Sequence, residues 1–357
     1  MKKPVIAMDL SSTGIGGGPF TSTLRIINSG LKDKYDFKII HYRTELGRGI
    51  SIRRIVNLVD QLNQIKPDIV HFSGLQLSGF HMAVACFIAG IRNTLITIHG
   101  TSADAIYFPR LKKLISVYLF EYLTLILSRK NCSVSDYVTT KINRCFIRKS
   151  VGTIYNFPPM PINYSSTIRE ELGLDKTDII IVTVARIIKD KGYHVFDEAI
   201  LKLKDITNLK YIVVGNGDYL PEMKCKLKNQ IDNKQIFFLG HRDDVQQILK
   251  GCDIFVLPTL HETLSIALLE ASVEGLALVA SNTGGIPEII EHEYNGILVE
   301  PGNVDELVKA IELLAKDQQL RSHLAQNAIC RIGQKFSHEI IEAKIDKVYQ
   351  SLLVLSR

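Results

Sequence analysis

The most constraining feature of this chain is a regular alternation of short apolar runs with longer amphipathic stretches. Runs of this length predict buried parallel strands, and the stretches between them predict helices that cover the sheet. In the first half the pattern predicts strands at 4–8, 37–41, 69–72, 95–98 and 130–134, and helices at 21–29, 52–65 and 80–89. In the second half it predicts strands at 179–185, 210–214, 236–239, 254–257, 277–280 and 297–299. The fold class is therefore α/β.

The alternation occurs twice, and the proline-rich segment 156–161 separates its two halves. Prolines stop helices and central strands, so we place a domain boundary there. The sequence predicts two Rossmann-like domains, 1–156 and 157–336, followed by an amphipathic helix within 337–357. Open parallel sheets bind ligands beyond the carboxyl ends of their strands. We therefore expect the functional residues in the loops that follow strands.

The charge is distributed unevenly between the halves. Residues 1–156 contain 21 Lys and Arg against 9 Asp and Glu, whereas the whole chain contains 43 against 37. The first domain thus carries a net charge of +12 and the remainder −6. A basic first domain indicates an anionic partner such as nucleic acid, a lipid headgroup or a pyrophosphate-bearing substrate. Nucleic acid is disfavoured because the chain has no Trp and no aromatic side chains interleaved with the basic ones.

The six cysteines are scattered and include no C-x-x-C pair. This argues against a zinc ribbon or a disulfide framework, and it is typical of a protein in the reducing cytoplasm. The apolar run at the N-terminus is short and passes into a glycine-rich turn. It therefore predicts a first strand rather than a signal peptide.

One segment of the second half combines a strand end, two carboxylates and a helix start. Glu262 lies in the loop after strand 254–257, Ser265 is a good helix N-cap, and Glu270 lies within the helix that follows. The N-terminus of a helix suits a phosphate, and flanking carboxylates can accept hydrogen bonds from sugar hydroxyls. The alternative is an ordinary surface Glu and a helix-face Glu, and the spacing alone does not decide between them.

Two further loops carry phosphate-binding chemistry. Arg186 and Lys191 follow the first strand of the second half and precede Gly192. The forked guanidinium of Arg186 and the compact ammonium of Lys191 could together bind a diphosphate. Glycines 14 and 16–18 follow the first strand of the chain and would let the backbone approach a ligand. They form neither a G-x-G-x-x-G fingerprint nor a P-loop, which disfavours a nicotinamide enzyme. A solvated, charged loop is the simpler alternative for 186–192.

Together these segments resemble the retaining GT-B-fold glycosyltransferases that carry an E-x7-E motif, the family 4-like enzymes also called glycosyl transferases group 1. The resemblance covers nearly the whole chain and is strongest over residues 261–290. RIIKDKG at 186–192, TIHG at 97–100, SVSDYV at 133–138 and the glycine-rich first loop add to it. It implies two facing domains, an acceptor-binding one at 1–156 and a nucleotide-sugar-binding one at 157–336. It also implies a C-terminal helix that crosses back to the first domain.

The resemblance implies donor contacts in the second domain. Arg186 and Lys191 would neutralise the donor diphosphate, and Glu270 would hold the ribose hydroxyls. Glu262, with backbone groups of Thr263, Leu264 and Ser265, would hold the donor sugar. The family often has Gly-Phe-Gly or Gly-Phe-Pro at these last three positions, so the identity of the sugar stays open.

The resemblance also implies contacts from the first domain. Gly17 and Gly18 would bring backbone N–H groups to the phosphates. His99, at the carboxyl end of a strand, would lie near the transferred sugar, although a lone histidine is more often structural. With these cations present the reaction would need neither a metal ion nor a cofactor.

Segment 111–128 is strongly apolar, has basic residues at both ends and contains Glu121 at its centre. It is too short and interrupted for a transmembrane helix. It is expected either to be a core helix of the first domain or to lie partly in a membrane interface, and both hold if one side packs and lipid wets the other.

These observations predict a metal-independent hexosyltransferase that uses a nucleotide sugar, UDP-linked by preference. Its acceptor would be a saccharide or lipid-linked saccharide of bacterial surface polysaccharide assembly. The enzyme would be cytoplasmic, with peripheral contact to the inner face of an anionic membrane. Two alternatives remain: a nucleotide-sugar epimerase of the same fold, which would act on donor alone, and a non-catalytic nucleotide-sugar-binding protein.

Overall fold

The computed structural model describes residues 2–11, 17–47, 49–104, 114–142, 144–161, 163 and 165–354. The chain divides into two compact units. Unit 1 comprises Met1–Phe157 together with Phe336–Arg357, and unit 2 comprises Pro158–Lys335. Each unit is built on its own parallel sheet, as the alternating pattern predicted.

Unit 1 contains a parallel sheet whose strand order is β2-β1-β3-β4-β5-β6 among the described residues. Its strands are β1 Val5–Ser11, β2 Asp36–Tyr42, β3 Ile69–Ser73, β4 Thr94–Ile98, β5 Lys130–Ser133 and β6 Ser150–Thr153. The strands predicted from apolar runs are present within a few residues of their expected bounds. The edge strand β6 was not predicted, because its sequence Ser-Val-Gly-Thr is only half-buried and contains no apolar run.

The helices described in unit 1 before its C-terminal segment are α1 Gly18–Asn28, α2 Ile52–Ile65, α3 Leu77–Ile88, α4 Ser116–Glu121 continuing as Tyr122–Leu127, and α5 Asp136–Lys141. The first part of α4 is π-helical. Helix α1 begins three residues before the predicted start because Pro19 lies in its first turn, where a missing N–H is tolerated. Helix α2 has the predicted bounds, and the Ser51 hydroxyl caps it by accepting the Arg54 N–H.

Unit 2 contains a second parallel sheet, with the strand order β12-β11-β10-β7-β8-β9. Its strands are β7 Ile179–Val184, β8 Leu209–Val214, β9 Ile236–Gly240, β10 Ile254–Leu257, β11 Ala277–Ser281 and β12 Ile297–Val299. Its helices are α6 Ile168–Leu172, α7 Tyr193–Lys202, α8 Leu220–Lys226, α9 Lys228–Asp232, α10 Val245–Lys250, α11 Ile266–Val273, α12 Ile286–Ile289, α13 Val304–Lys316 and α14 Gln318–Lys335. Apolar side chains of α7 and α13 pack on the buried strands to form the core.

The C-terminal helix α15, His338–Val354, packs within unit 1. The Tyr349 hydroxyl lies 2.7 Å from Nδ1 of His71 on β3, and Nε2 of the same ring lies 2.7 Å from the Thr97 hydroxyl on β4. Burial lowers the pKa of His71 to about 3, so this imidazole is neutral at pH 7 and both its nitrogens are hydrogen-bonded. At the surface, Lys34 pairs with Asp346.

Helix α4 buries several polar side chains and exposes many of its large apolar ones, unlike an ordinary core helix. Its buried side carries Ser116, Glu121, Thr124 and Leu125. The large apolar side chains of residues 114–127 that are exposed are Leu114, Ile115, Tyr118, Leu119, Tyr122 and Ile126. The expectation that this stretch packs as a core helix therefore holds only for its narrower, mostly polar side. Residues 111–113 of the predicted segment lie outside the described residues.

We expect Tyr349→Phe to destabilise unit 1 by about 1–3 kcal/mol, because it leaves Nδ1 of a fully buried imidazole without its partner. Urea unfolding measures this free energy. The control is Tyr118→Phe, which removes a hydroxyl from a tyrosine that is 70% exposed and should change stability by less than about 0.5 kcal/mol. Equal stability of the two variants would show that the contact does not hold α15 to the sheet.

Candidate functional site

The predicted site residues of unit 2 lie in loops at the carboxyl edge of its sheet. Since all six strands are parallel, the loops that follow β7, β8, β10 and β11 leave the sheet at this one edge. The loop after β7 carries Arg186 and Lys191, and the loop after β10 carries Glu262. Helix α11, which contains Glu270, follows that second loop.

These loops contact one another through their backbones. Gly192 has φ +72°, and a Cβ there would lie 1.7 Å from the Pro258 carbonyl oxygen. Gly284 has φ +59°, and a Cβ there would lie 1.6 Å from the Glu262 carbonyl oxygen. Two hydrogen bonds join the same loops: Leu260 N–H donates to the Asp190 carbonyl over 2.8 Å, and Gly285 N–H donates to that of Glu262 over 3.2 Å. The position of Glu262 is therefore set by main chain on both sides.

The loop after β8 joins this arrangement and was missed at the sequence level. A Cβ at Gly215 would lie 2.0 Å from the Ala185 carbonyl oxygen, and one at Gly217 would lie 2.3 Å from that of Ile187. Tyr219 N–H also donates to the Ile187 carbonyl over 3.0 Å. These contacts shape the segment that carries Arg186. The signal available in the sequence was a Gly-x-Gly directly after a buried strand.

Lys191 and Glu262 form an ion pair across two loops. The Lys191 Nζ lies 2.8 Å from Oε2 of Glu262, and their side chains are only 18% and 14% exposed. The other carboxylate oxygen, Oε1, accepts the N–H of Thr263 over 3.0 Å. A partly buried pair of this kind holds both side chains in place before any ligand arrives. An anionic ligand group near Lys191 would compete with Glu262 for the ammonium.

The three residues after Glu262 present mainly their backbone. Leu264 and Ser265 are buried, and the Ser265 hydroxyl caps α11 by accepting the Leu268 N–H over 3.2 Å. The predicted N-cap is therefore confirmed. Of the side chains that replace the family's glycines, only that of Thr263 is half-exposed. The larger residues thus alter the surface of this loop less than their volumes suggest.

The two remaining donor-site residues of unit 2 differ in their surroundings. Arg186 is exposed, and its side chain makes no hydrogen bond or ion pair to another residue in the described part of the chain. Its guanidinium is therefore available to a ligand. Glu270 is half-buried on α11, between the N-cap Ser265 and the end of the helix at Val273, and Gly275 beyond that end has φ +75°.

In unit 1 the predicted residues lie at the carboxyl edge of the other sheet. His99 follows β4, and its Nε2 is buried without a hydrogen-bond partner among the described residues. Burial lowers the pKa of His99 to about 4, so the ring is neutral at pH 7. Gly17 caps α1 and Gly18 begins it, and a Cβ at Gly17 would meet no atom of the described residues within 4 Å. Gly14 and Gly16 lie outside the described residues.

Asp9 is a further titratable residue at this edge, and sequence reasoning missed it. Its carboxylate accepts the Ser73 N–H over 2.9 Å, and it is only 5% exposed. Burial raises the pKa of Asp9 to about 7. The signal in the sequence was an acidic residue inside an otherwise apolar strand.

Comparisons with known proteins agree with this arrangement. Residues 165–331 match the family described as "Glycosyl transferases group 1". An N,N'-diacetylbacillosaminyl-diphospho-undecaprenol alpha-1,3-N-acetylgalactosaminyltransferase from Campylobacter jejuni is 30% identical over 241 residues, which cover 66% of this chain and 62% of that protein. A UDP-Gal:alpha-D-GlcNAc-diphosphoundecaprenol alpha-1,3-galactosyltransferase from Escherichia coli is 26% identical over 318 residues, which cover 85% of this chain and 80% of that protein.

Among solved structures, Anabaena HepE in complex with UDP and glucose is similar, with a TM-score of 0.78 at 21% identity. The match covers 98% of this chain and 100% of that chain. Residues 165–331 thus match the glycosyl transferases group 1 family, and the fold of the chain is of the GT-B type. The family and fold class predicted from the sequence are confirmed.

We expect Gly284→Ala to destabilise unit 2 far more than Gly302→Ala. Both glycines have positive φ, +59° and +83°, which costs an alanine about 1–2 kcal/mol. Only at Gly284 does the new methyl also collide with a carbonyl oxygen, which adds an overpacking penalty of about 1–3 kcal/mol. Chemical unfolding measures both variants. Equal losses would mean that the loops after β10 and β11 are not in firm contact.

Proposed function

We propose that this chain is a retaining glycosyltransferase that transfers a hexose-type sugar from a nucleotide sugar to a saccharide or lipid-linked saccharide. The observation that carries the proposal is the Lys191–Glu262 pair, which two loops hold beside the start of α11. Within it, residues 157–336 bind the nucleotide sugar, residues 1–156 bind the acceptor, and the helix within 337–357 belongs with the acceptor domain. The reaction contributes to bacterial surface polysaccharide assembly.

The donor diphosphate is bound by the cations after β7. Breaking the bond between sugar and diphosphate leaves negative charge on the phosphate, and fixed cations stabilise that charge. Lys191 is already ordered by Glu262, whereas Arg186 is free to form a bidentate contact. The N-terminus of α11 adds partial positive charge. With these groups present the reaction proceeds without a metal ion or a cofactor.

Two carboxylates orient the sugar and the nucleoside. Glu262, together with backbone groups of Thr263, Leu264 and Ser265, accepts and donates hydrogen bonds to the donor sugar. Glu270 holds the ribose hydroxyls. The buried Leu264 and Ser265 side chains support the use of backbone rather than side-chain contacts there.

Unit 1 supplies further contacts to the transferred sugar and to the phosphates. The neutral imidazole of His99 contacts the transferred sugar, and the unpartnered Nε2 supports a role in hydrogen bonding. Gly17 and Gly18 offer backbone N–H groups to the phosphates.

Relatives favour UDP as the donor base and an undecaprenol-linked acceptor. Anabaena HepE was solved with UDP and with UDP-glucose. The Campylobacter and Escherichia relatives are both named for diphospho-undecaprenol-linked acceptors. An epimerase of the same fold, or a binding protein without catalysis, would not need the lipid-linked acceptor that these names share.

A lipid-linked acceptor suggests contact with a membrane surface. No helix in the described part of the chain has the length and apolar composition to span a bilayer. Helix α4 instead exposes an apolar side, and Arg129 and Lys130 follow its C-cap Ser128. Apolar side chains with basic neighbours bind the interface of anionic membranes. We place the enzyme in the cytoplasm, at the inner face of such a membrane.

We expect UDP to raise the melting temperature of the protein more than GDP, dTDP or ADP does. In Glu270→Ala the affinity for UDP should fall roughly 10–100-fold, because hydrogen bonds to a charged group contribute about 1.5–3 kcal/mol. Glu312→Ala, on the outer side of α13, is the control and should bind UDP as the wild type does. The donor assignment would fail if no nucleotide stabilised the protein at high concentration.

We also expect the protein to bind phosphatidylglycerol-containing vesicles at low salt and to leave them as salt is raised. Leu119→Ser should weaken binding roughly 10–100-fold, since a leucine inserted in lipid contributes about 1.5–3 kcal/mol. Leu313→Ser is a matched control, because Leu313 is 48% exposed in unit 2 and Leu119 is 47% exposed in α4. Vesicle co-sedimentation measures both. Equal effects of the two substitutions would contradict a membrane-facing α4.

A further inference from the structure

The buried side of α4 contacts the loop that follows His99. This loop leaves β4 at Ile98 and contains Ser102, three residues after the histidine. The backbone N–H of Ser102 donates to Oε1 of Glu121 over 2.6 Å, and the Ser102 hydroxyl lies 2.8 Å from the hydroxyl of Ser116. Ser102, Ser116 and Glu121 are 0%, 8% and 5% exposed. The loop is therefore tied to α4 by two buried polar contacts.

The π-helical geometry of Ser116–Glu121 makes both contacts possible. Side chains five residues apart in an α-helix point about 140° away from each other, at 3.6 residues per turn. In a π-helical turn, hydrogen bonds run between residues five apart, so Ser116 and Glu121 come to lie on the same side. Both can then reach Ser102. A π-helical turn is less stable than regular α-helix. The two contacts with Ser102 stabilise it here.

The loop depends on these contacts to keep His99 in place. On the strand side of the histidine, Ile98 is fixed by its carbonyl, which accepts the Val134 N–H over 3.1 Å. On the other side the Ser102 N–H is fixed by Glu121. The Nε2 of the ring has no partner among the described residues, so it supplies no anchor of its own. The backbone contacts on either side therefore fix the main chain that carries the ring.

We propose that Glu121 is a positioning residue, which acts on the reaction by holding the loop after His99 against α4. Its importance for catalysis rests on the proposed role of His99, whereas its effect on the position of His99 does not. Because the opposite side of α4 is exposed and apolar, an acceptor or lipid that binds there contacts the same helix that fixes the histidine. Acceptor binding and the position of His99 are thus coupled through α4.

The test is a histidine-ring NMR titration of the full-length protein without ligand, with the His99 signal assigned by its loss in His99→Asn. Glu121→Met keeps the length of the side chain and removes its acceptor. We expect the signal of His99 to shift and its pKa to rise from about 4 toward the ordinary value near 6.5, as the ring loses burial. Glu121→Gln retains an acceptor oxygen and should restore most of the wild-type signal.

Burial, and to a lesser extent His99, lower the pKa of His71 on β3, so the signal of His71 is followed together with that of His99. Thr124→Val is the matched control. Thr124 is buried on the same side of α4, but its hydroxyl donates to the Phe120 carbonyl of its own helix over 2.6 Å. It should leave the His99 signal unchanged. If Glu121→Met does not fold, Ser116→Ala is measured instead. We expect it to shift the His99 signal in the same direction but by less.

An unchanged His99 signal in Glu121→Met would overturn the proposal, and so would an equal change in Thr124→Val. Transferase assays separate this result from the proposed function. If His99→Ala lowers kcat, Glu121→Met should lower it about tenfold or more with little effect on UDP affinity, and the two losses should not add. A fully active His99→Ala would refute the catalytic role of the histidine. The NMR result would still show whether Glu121 holds the loop after His99.

Discussion

The loops at the carboxyl edge of the unit 2 sheet touch through main-chain atoms, and this contact governs the site that they form. Where Gly192 meets the Pro258 carbonyl and Gly284 meets that of Glu262, there is no room even for a methyl group. Side chains can change rotamer, but backbone contacts of this kind move only if a whole loop moves. The loop that carries Glu262 therefore has a fixed path, and so does the turn that carries Lys191. The ion pair between them follows from the glycines.

A pair held in this way is suited to a ligand that carries both a phosphate and hydroxyl groups. Lys191 and Glu262 are largely removed from water, so neither charge is well solvated without the other. An incoming diphosphate offers Lys191 a second anion, and sugar hydroxyls offer Glu262 the donors that it then lacks. Arg186 differs because it is exposed and its side chain has no partner among the described residues, so the ligand has to order its guanidinium. The site thus combines one preset contact with one that forms on binding.

The sequence predicted most of the fold because most strands of both units contain a short apolar run. Ile254–Leu257 and Ile297–Val299 were predicted with their observed bounds. Strand β6 was missed because an edge strand need not be apolar. The Ser265 cap could be predicted, since capping is a local property of the chain. The contacts of Gly215 and Gly217 could not be predicted, because the atoms that leave no room for a side chain there belong to residues distant in sequence. The burial of Asp9 has the same kind of cause.

Helix α4 shows why hydropathy alone left two interpretations of the stretch around it. This helix packs against α3, where Phe120 contacts Phe80, and against the loop after β4, whose N–H and hydroxyl groups need hydrogen-bond partners. Ser116 and Glu121 supply these, and an apolar replacement would leave the Ser102 N–H unsatisfied, at about 1–3 kcal/mol. Helical periodicity then places the apolar side chains on the exposed side. The exposed apolar surface and the contacts of α4 with the loop after His99 are therefore two consequences of a single packing arrangement. A rotation of α4 that buried its apolar side would break the contacts with this loop.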